Sequence, residues 1–131
     1  MRNPLPTSET ERRTRDLLRS LPEIIGACDD VSKGVFDFRG ALNGDEKHLI
    51  AVSLAVASRC DRSVQKWIAS ALDAGVTPRK IVDCIGVTIL MGGDIADAYA
   101  PQALAFLEAC SVPEQLELAR LRRPEKANYP R

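Results

Sequence analysis

The sequence predicts an all-α protein. Apolar residues recur at helical spacing along most of the chain, and few stretches alternate with the period of two that is typical of a half-buried strand. The segments between these patterns carry helix caps and prolines, and the turn signals of β-hairpins are missing. The 131 residues, of which 45% are apolar and 27% charged, fit one globular domain that is large enough to bury a core.

Two helices are predicted in the first third of the chain. Ser8 and Glu11 have the spacing of a capping box, and Pro22 suits the first turn of the next helix. The second helix is predicted to run to Asn43-Gly44 with a narrow apolar seam, suited to packing on another helix. This seam consists of Ile24, Cys28, Val31, Val35, Phe38 and Leu42.

The next predicted helix, from Asp45 to about Ser58, is apolar almost all round. Such a helix is buried on several sides. In a chain of this size it lies either at the centre of a bundle or against another subunit.

The remaining helices are predicted from their caps. Asp61 caps a fourth helix that Gly75 closes, and Thr77-Pro78 starts a fifth. Gly92-Gly93 should break the chain, and Pro101 should kink or split the helix that follows. A short amphipathic segment from Leu116 to Leu121 comes next, and residues 1–7 and 122–131 are expected to be loose termini.

Charge and hydropathy exclude several classes of protein. Eighteen basic residues balance eighteen acidic ones, which argues against a nucleic-acid partner. The N-terminal residues lack an apolar signal region, and no apolar run approaches the roughly 20 residues of a membrane span. We therefore expect a cytoplasmic protein with no membrane partner.

The four cysteines are Cys28, Cys60, Cys84 and Cys110. Their spacing matches no zinc motif and the chain has one histidine, so no metal and no cofactor is predicted. We expect four free thiols, with all but Cys60 buried as small apolar residues on helix faces.

Cys60 differs because it directly precedes a helix start, where backbone N–H groups favour an anion. Arg59 and Arg62 flank it, and nearby cations lower a thiol pKa. Asp61 acts in the opposite direction, and so would burial of the thiol.

Several segments between Asp45 and Leu107 resemble the carboxymuconolactone decarboxylase and alkylhydroperoxidase D-like family. They are EKHLIAVSLAVASRC, ALDAGVTPRKI, LMGGD and YAPQAL. The resemblance implies one domain over residues 1–131, a multi-helix bundle of the alkylhydroperoxidase D-like type, and assembly as a homo-oligomer, trimer or hexamer.

Redox-active members of that family use a glutamate, a C-x-x-C pair and a histidine. The relay positions fall on His48, Cys60, Ser63 and Trp67, so only Cys60 keeps its type. The resemblance therefore implies a thiol-dependent peroxidase or disulfide-exchange protein with one cysteine and an external thiol or dithiol reductant. His48 is the candidate base, although it would lie roughly 18 Å along the helix axis from Cys60 if the two helices are antiparallel. Contact then needs a kink, another packing or a neighbouring subunit.

Other interpretations stay open. Ser63 would satisfy a free backbone N–H at its helix start, and Trp67 would fill the family's pocket with apolar bulk. The chain would then be a non-catalytic oligomeric scaffold or small-ligand binder, and a cofactor-free decarboxylase is a further alternative.

Overall fold

The computed structural model describes residues 7–112, and every regular element in that range is a helix. These helices are α1 (Thr7–Ser20), α2 (Pro22–Asp37), α3 (Gly44–Ala57), α4 (Asp61–Asp73) and α5 (Pro78–Cys110). The all-α prediction is confirmed. The segment from Leu116 to Leu121 and the C-terminal residues 122–131 lie outside the described residues, as do residues 1–6. The chain divides into two compact units, residues 1–40 and 41–131.

The first unit contains α1 and α2. Pro22 stands in the first turn of α2, as predicted. The helix ends at Asp37, however, so the prediction that it reaches Asn43 is wrong. Phe38 leaves the helix with extended dihedrals, and its N–H bonds to the Gly34 carbonyl. No side chain of α2 is buried, and its apolar seam is therefore exposed.

Asn43 begins α3, where the sequence pattern had placed it at the end of the preceding helix. Its side chain accepts the Glu46 N–H at 2.9 Å, and the Glu46 carboxylate accepts the Asn43 N–H at 2.7 Å. This reciprocal capping box fixes the start of α3. Val52 lies on the buried side of the helix, whereas Ile50 and Leu54 are 45% and 63% exposed. Among residues 7–112, α3 is thus covered mainly on the side that carries Val52.

Helices α3, α4 and α5 pack on one another and form the core of the second unit. The core residues come from all three helices and from the α4–α5 turn. Those with no exposed surface are Val52, Val56, Val64, Ile68, Ala71, Ile81, Ala103 and Leu107.

α5 starts at the predicted cap and breaks at the predicted glycines. The Thr77 hydroxyl accepts the Lys80 N–H at 3.4 Å. Gly93 is the one non-helical residue inside α5, with φ 59° and ψ −147°, a conformation that a residue without Cβ adopts at little cost. Pro101 keeps helical dihedrals and α5 continues through it, so the helix is not split in two at this residue. The fixed φ of proline is itself compatible with a helix.

The four cysteines are free thiols, but fewer of them are buried than predicted. Cys84 is buried, as expected, but Cys28 and Cys110 are exposed. Cys28 lies on α2, which buries nothing, and Cys110 is the last residue of α5. None of the described helices is both long and apolar enough to cross a membrane.

Candidate functional site

The site is built on the tight turn between α3 and α4. The Arg59 N–H bonds to the Val56 carbonyl at 3.0 Å and the Cys60 N–H to the Ala55 carbonyl at 3.4 Å, the pattern of a Schellman motif. Arg59 holds the left-handed position of that motif, with φ 52°, where glycine is usual. This costs about 1 kcal/mol for a residue with Cβ. The turn reverses the chain so sharply that α4 begins directly after Cys60.

Cys60 is the N-cap of α4 and is exposed. Its side chain makes no N-cap hydrogen bond of normal geometry. Even so, the Ser63 hydroxyl, followed by the backbone N–H groups of Ser63 and Arg62, favours the thiolate and lowers the pKa of Cys60. Partial burial and the charge of Asp61 oppose this shift. The groups that lower this pKa are thus N–H and O–H donors in the first turn of α4, and the flanking guanidinium groups are not among the causes.

Asp61 is held by a residue that sequence analysis did not single out. Tyr99 Oη donates to Asp61 Oδ1 at 2.5 Å. Burial raises the pKa of Tyr99, and the Asp61 hydrogen bond and the charges of Asp61 and Cys60 raise it further. Tyr99 is half-buried against the core, so its hydroxyl is a fixed and persistent donor. No local pattern could have revealed this pair, because only the packing of α5 on α4 joins residues so far apart in the chain.

A pocket of about 310 Å³ lies between α3 and α4. Its lining residues are Ala51, Leu54, Ala55, Ser58, Ser63 and Trp67. Two of the four relay positions, Ser63 and Trp67, thus face one cavity. Trp67 packs against the core, as predicted, but it lines the pocket instead of closing it. The Lys66 ammonium lies 5.0 Å from the centre of the indole ring.

His48 lies away from the thiol. It is buried, with its Nδ1 2.7 Å from the Gly44 carbonyl and its Nε2 3.1 Å from the Ser70 hydroxyl. Because a carbonyl only accepts, Nδ1 donates and Nε2 accepts from Ser70. Ser70 lies ten residues beyond Cys60, about 15 Å along α4. The structure therefore brings Ser63 and Trp67 to one pocket, and it pairs His48 with Ser70 near the end of α4.

A second cavity, of about 500 Å³, lies between α3 and α5. Its lining residues are Leu49, Ile50, Ser53, Leu54, Lys80, Asp83, Cys84 and Val87. Cys84 donates to the Leu49 carbonyl at 3.1 Å, and its sulfur is 2.8 Å from the Ser53 hydroxyl. Burial raises the pKa of this thiol, which makes it a poor nucleophile at neutral pH. No group of three or more potential metal ligands meets within residues 7–112.

Comparisons with known proteins agree with this architecture. The model of the carboxymuconolactone decarboxylase family matches residues 22–109. A protein of Paracoccus denitrificans described as uncharacterized protein 4 in the cox locus is 36% identical over 78 residues, 60% of this chain and 69% of that protein. The crystal structure of an apo carboxymuconolactone decarboxylase family protein from Legionella pneumophila aligns with a TM-score of 0.70 and 24% identity, over 81% of this chain and 94% of the other. That second likeness is one of fold.

Proposed function

Because the chain belongs to the carboxymuconolactone decarboxylase family, we propose that it is a thiol-dependent peroxidase or disulfide-exchange protein with Cys60 as its single nucleophile. One observation carries the proposal. Cys60 is exposed at the start of α4, its thiolate is favoured by the hydroxyl and N–H of Ser63, and Ser63 itself lines the pocket between α3 and α4. Reactive cysteines are typically found in partly exposed surroundings of this kind.

The proposed cycle begins with attack of the Cys60 thiolate on a peroxide oxygen. An S–O bond forms, the O–O bond breaks, and the leaving oxygen takes a proton to become an alcohol, so that Cys60 becomes a sulfenic acid. An external thiol then condenses with it, which releases water and forms a mixed disulfide. A second external thiol attacks that bond, restores Cys60 and leaves as the oxidised disulfide. Ser63 has no sulfur to close an internal C-x-x-C disulfide, so the thiol that resolves the sulfenic acid must come from outside.

The pocket that Ser63 lines supports a proposal about the kind of substrate. Its lining is aliphatic and aromatic apart from the hydroxyls of Ser58 and Ser63, and the Ser58 hydroxyl already donates to the Leu54 carbonyl at 2.7 Å. No charged side chain lines it. We therefore propose a small uncharged substrate, either an organic hydroperoxide or a disulfide with an apolar substituent.

We further propose that the protein acts as a homo-oligomer. The seam residues Ile24, Val31 and Val35 are 58%, 67% and 53% exposed, and Leu90 and Met91 on α5 are about four-fifths exposed. Large apolar patches of this extent on a soluble chain usually mark interfaces. The trimer or hexamer implied by the family resemblance would cover them.

A second candidate function is binding of a small apolar ligand without catalysis. The cavity between α3 and α5 supports it, because that cavity is larger, mainly aliphatic and does not include Cys60. A pure binder would bind such a ligand equally well after Cys60 is replaced.

The test is consumption of tert-butyl hydroperoxide with dithiothreitol as reductant. Wild-type protein should consume the peroxide catalytically, and Cys60→Ser should reduce the rate to that of dithiothreitol alone. Cys28→Ser and Cys110→Ser are the matched controls, because each also removes an exposed thiol, and both should keep full activity. Equal rates for wild-type protein and Cys60→Ser, with this peroxide and with a small aromatic disulfide, would disprove the proposed function.

A further inference from the structure

The Asp61 carboxylate carries a negative charge next to Cys60 and opposes ionisation of the thiol. Asp61 is the first residue of α4 and follows the thiol directly. A carboxylate in this place stabilises the helix start, but its charge disfavours a neighbouring thiolate. In this structure that carboxylate is engaged, since the Tyr99 hydroxyl donates to its Oδ1 at 2.5 Å from the adjoining helix.

We propose that Tyr99 is a positioning residue for Cys60, which holds the Asp61 carboxylate and withdraws part of its negative charge from the thiolate. The hydrogen bond joins α5 to the first turn of α4, so it also fixes which way the carboxylate points. A short hydrogen bond to an ionised acceptor is about twice as strong as one between neutral groups. Asp61 thereby keeps its role at the helix start while its effect on Cys60 is reduced.

Charged groups flank the pair along the chain. On α4 and the turn before it, Arg59 and Arg62 flank Cys60 and Asp61 in sequence, and Lys66 lies over the Trp67 ring. On α5 the partner is Tyr99. The residues of α3 that line the pocket between α3 and α4, Ala51, Leu54 and Ala55, carry no titratable group.

A tyrosine suits this role better than a lysine or an arginine. A cation would also have neutralised Asp61, but it would have remained free to pair with the thiolate and compete with a substrate. The phenol is neutral and donates a single proton. Because burial and the Asp61 carboxylate raise the pKa of Tyr99, the donor persists throughout the pH range in which Cys60 ionises.

This inference rests on the proposed function only in treating Cys60 as the reactive group, and its test needs no peroxide. The rate of Cys60 alkylation by iodoacetamide is measured by mass spectrometry against pH in wild-type protein, Tyr99→Phe, Asp61→Asn and the double variant. Tyr99→Phe should raise the pKa of Cys60 by roughly half a unit and lower its rate at neutral pH about threefold. Asp61→Asn should not lower the Cys60 alkylation rate. The double variant should react at the same rate as Asp61→Asn alone.

Asp73→Asn is the matched control, since it removes an exposed carboxylate at the other end of the same helix and should leave Cys60 unchanged. Circular dichroism shows whether each variant is folded. If Tyr99→Phe does not fold, Asp61→Asn tests the same effect of the Asp61 carboxylate on Cys60. The inference is overturned if Tyr99→Phe leaves the Cys60 profile unaltered, or if it shifts the profile equally with and without Asp61. A different result is that wild-type Cys60 is alkylated fast and in a Tyr99-dependent way while the protein consumes no peroxide or disulfide. That result would disprove the proposed function and support this inference.

Discussion

The Nε2 atom of His48 lies 3.1 Å from the Ser70 hydroxyl, and this hydrogen bond holds the only histidine of the chain near the far end of α4 from Cys60. The other ring nitrogen is bonded to the Gly44 carbonyl in the first turn of α3. His48 thus joins the start of α3 to the end of α4. These two hydrogen bonds predict a structural role for His48.

Replacing His48 should therefore change stability and not thiol chemistry. His48→Ala removes two hydrogen bonds from a buried position and leaves Ser70 without its acceptor, so the free energy of unfolding should fall by about 2 kcal/mol. Urea denaturation measures that loss, and iodoacetamide measures Cys60. A tenfold drop in the Cys60 rate in folded His48→Ala would instead place the histidine in the site.

Ser63 should control the ionisation of Cys60. Its hydroxyl is the largest cause of the lowered Cys60 pKa, so Ser63→Ala should move the alkylation profile to higher pH and slow the reaction at neutral pH roughly three- to tenfold. Ser70→Ala is the control. It also removes a serine hydroxyl from α4, but this hydroxyl bonds to His48. In wild-type protein the Cys60 profile should lie at lower pH than in the urea-unfolded chain. Coincident folded and unfolded profiles would contradict the assignment.

The pKa of Cys84 is shifted in the opposite direction from that of Cys60, and this shift should make the stability of the protein depend on pH. Its pKa is raised in the folded state, so the stability contributed by the neutral, hydrogen-bonded thiol is complete below the unfolded pKa of about 8.5 and is lost as pH rises through the folded pKa. Cys84→Ala should cost about 1 kcal/mol near neutral pH, and the difference from wild type should shrink in alkaline buffer. Urea denaturation at both pH values measures this. Cys110→Ala, at an exposed thiol, should show neither effect.

Restoring the missing sulfur should change how the protein is reduced. Positions three apart in a helix have Cβ atoms about 5–6 Å apart, close enough for a disulfide after a small adjustment at the helix start. Ser63→Cys should therefore form an internal disulfide with Cys60 on treatment with peroxide, detected as the loss of two hydrogens from one peptide. The same substitution made together with Cys60→Ser should not. Failure to close this bond would mean that the first turn of α4 is too rigid for the two-thiol cycle.

The apolar seam of α2 should hold copies of the chain together. Val31 is 67% exposed, and Val31→Glu would place a charge in the proposed interface, so it should lower the mass measured by light scattering at micromolar concentration. Lys33→Glu alters charge on an exposed residue of the same helix outside the seam and should have little effect. A wild-type monomer at that concentration would refute the oligomer.

Most helix boundaries could be predicted because they depend on local chemistry. Thr77-Pro78 and Gly75 act through their own backbone or side chain, and each was placed correctly. The end of α2 could not be predicted, because apolar periodicity continues through Phe38 and Leu42 although the backbone has already become extended. A periodic pattern does not show where hydrogen bonding stops.

The candidate site divides in the same way. Cys60 and Ser63 lie within one turn, so their proximity follows from sequence spacing alone. Tyr99 was missed because its contact with Asp61 depends on how α5 packs, and on the break at Gly93 that redirects the second half of that helix. His48 was assigned to the relay by alignment, whereas its contacts depend on which part of α4 faces the start of α3.

The lack of any buried side chain in α2 has a thermodynamic consequence. A sixteen-residue helix is marginal in water without tertiary contacts, and the contacts of α2 with α1 bury none of its side chains completely, so a partner covering its seam would add to its order. If that cover is another copy of the chain, mass action links the helicity of the first unit to the concentration of protein. Ellipticity per residue would then decline on dilution while the core of α3, α4 and α5 stays folded, and the chain would gain its full secondary structure only by assembling.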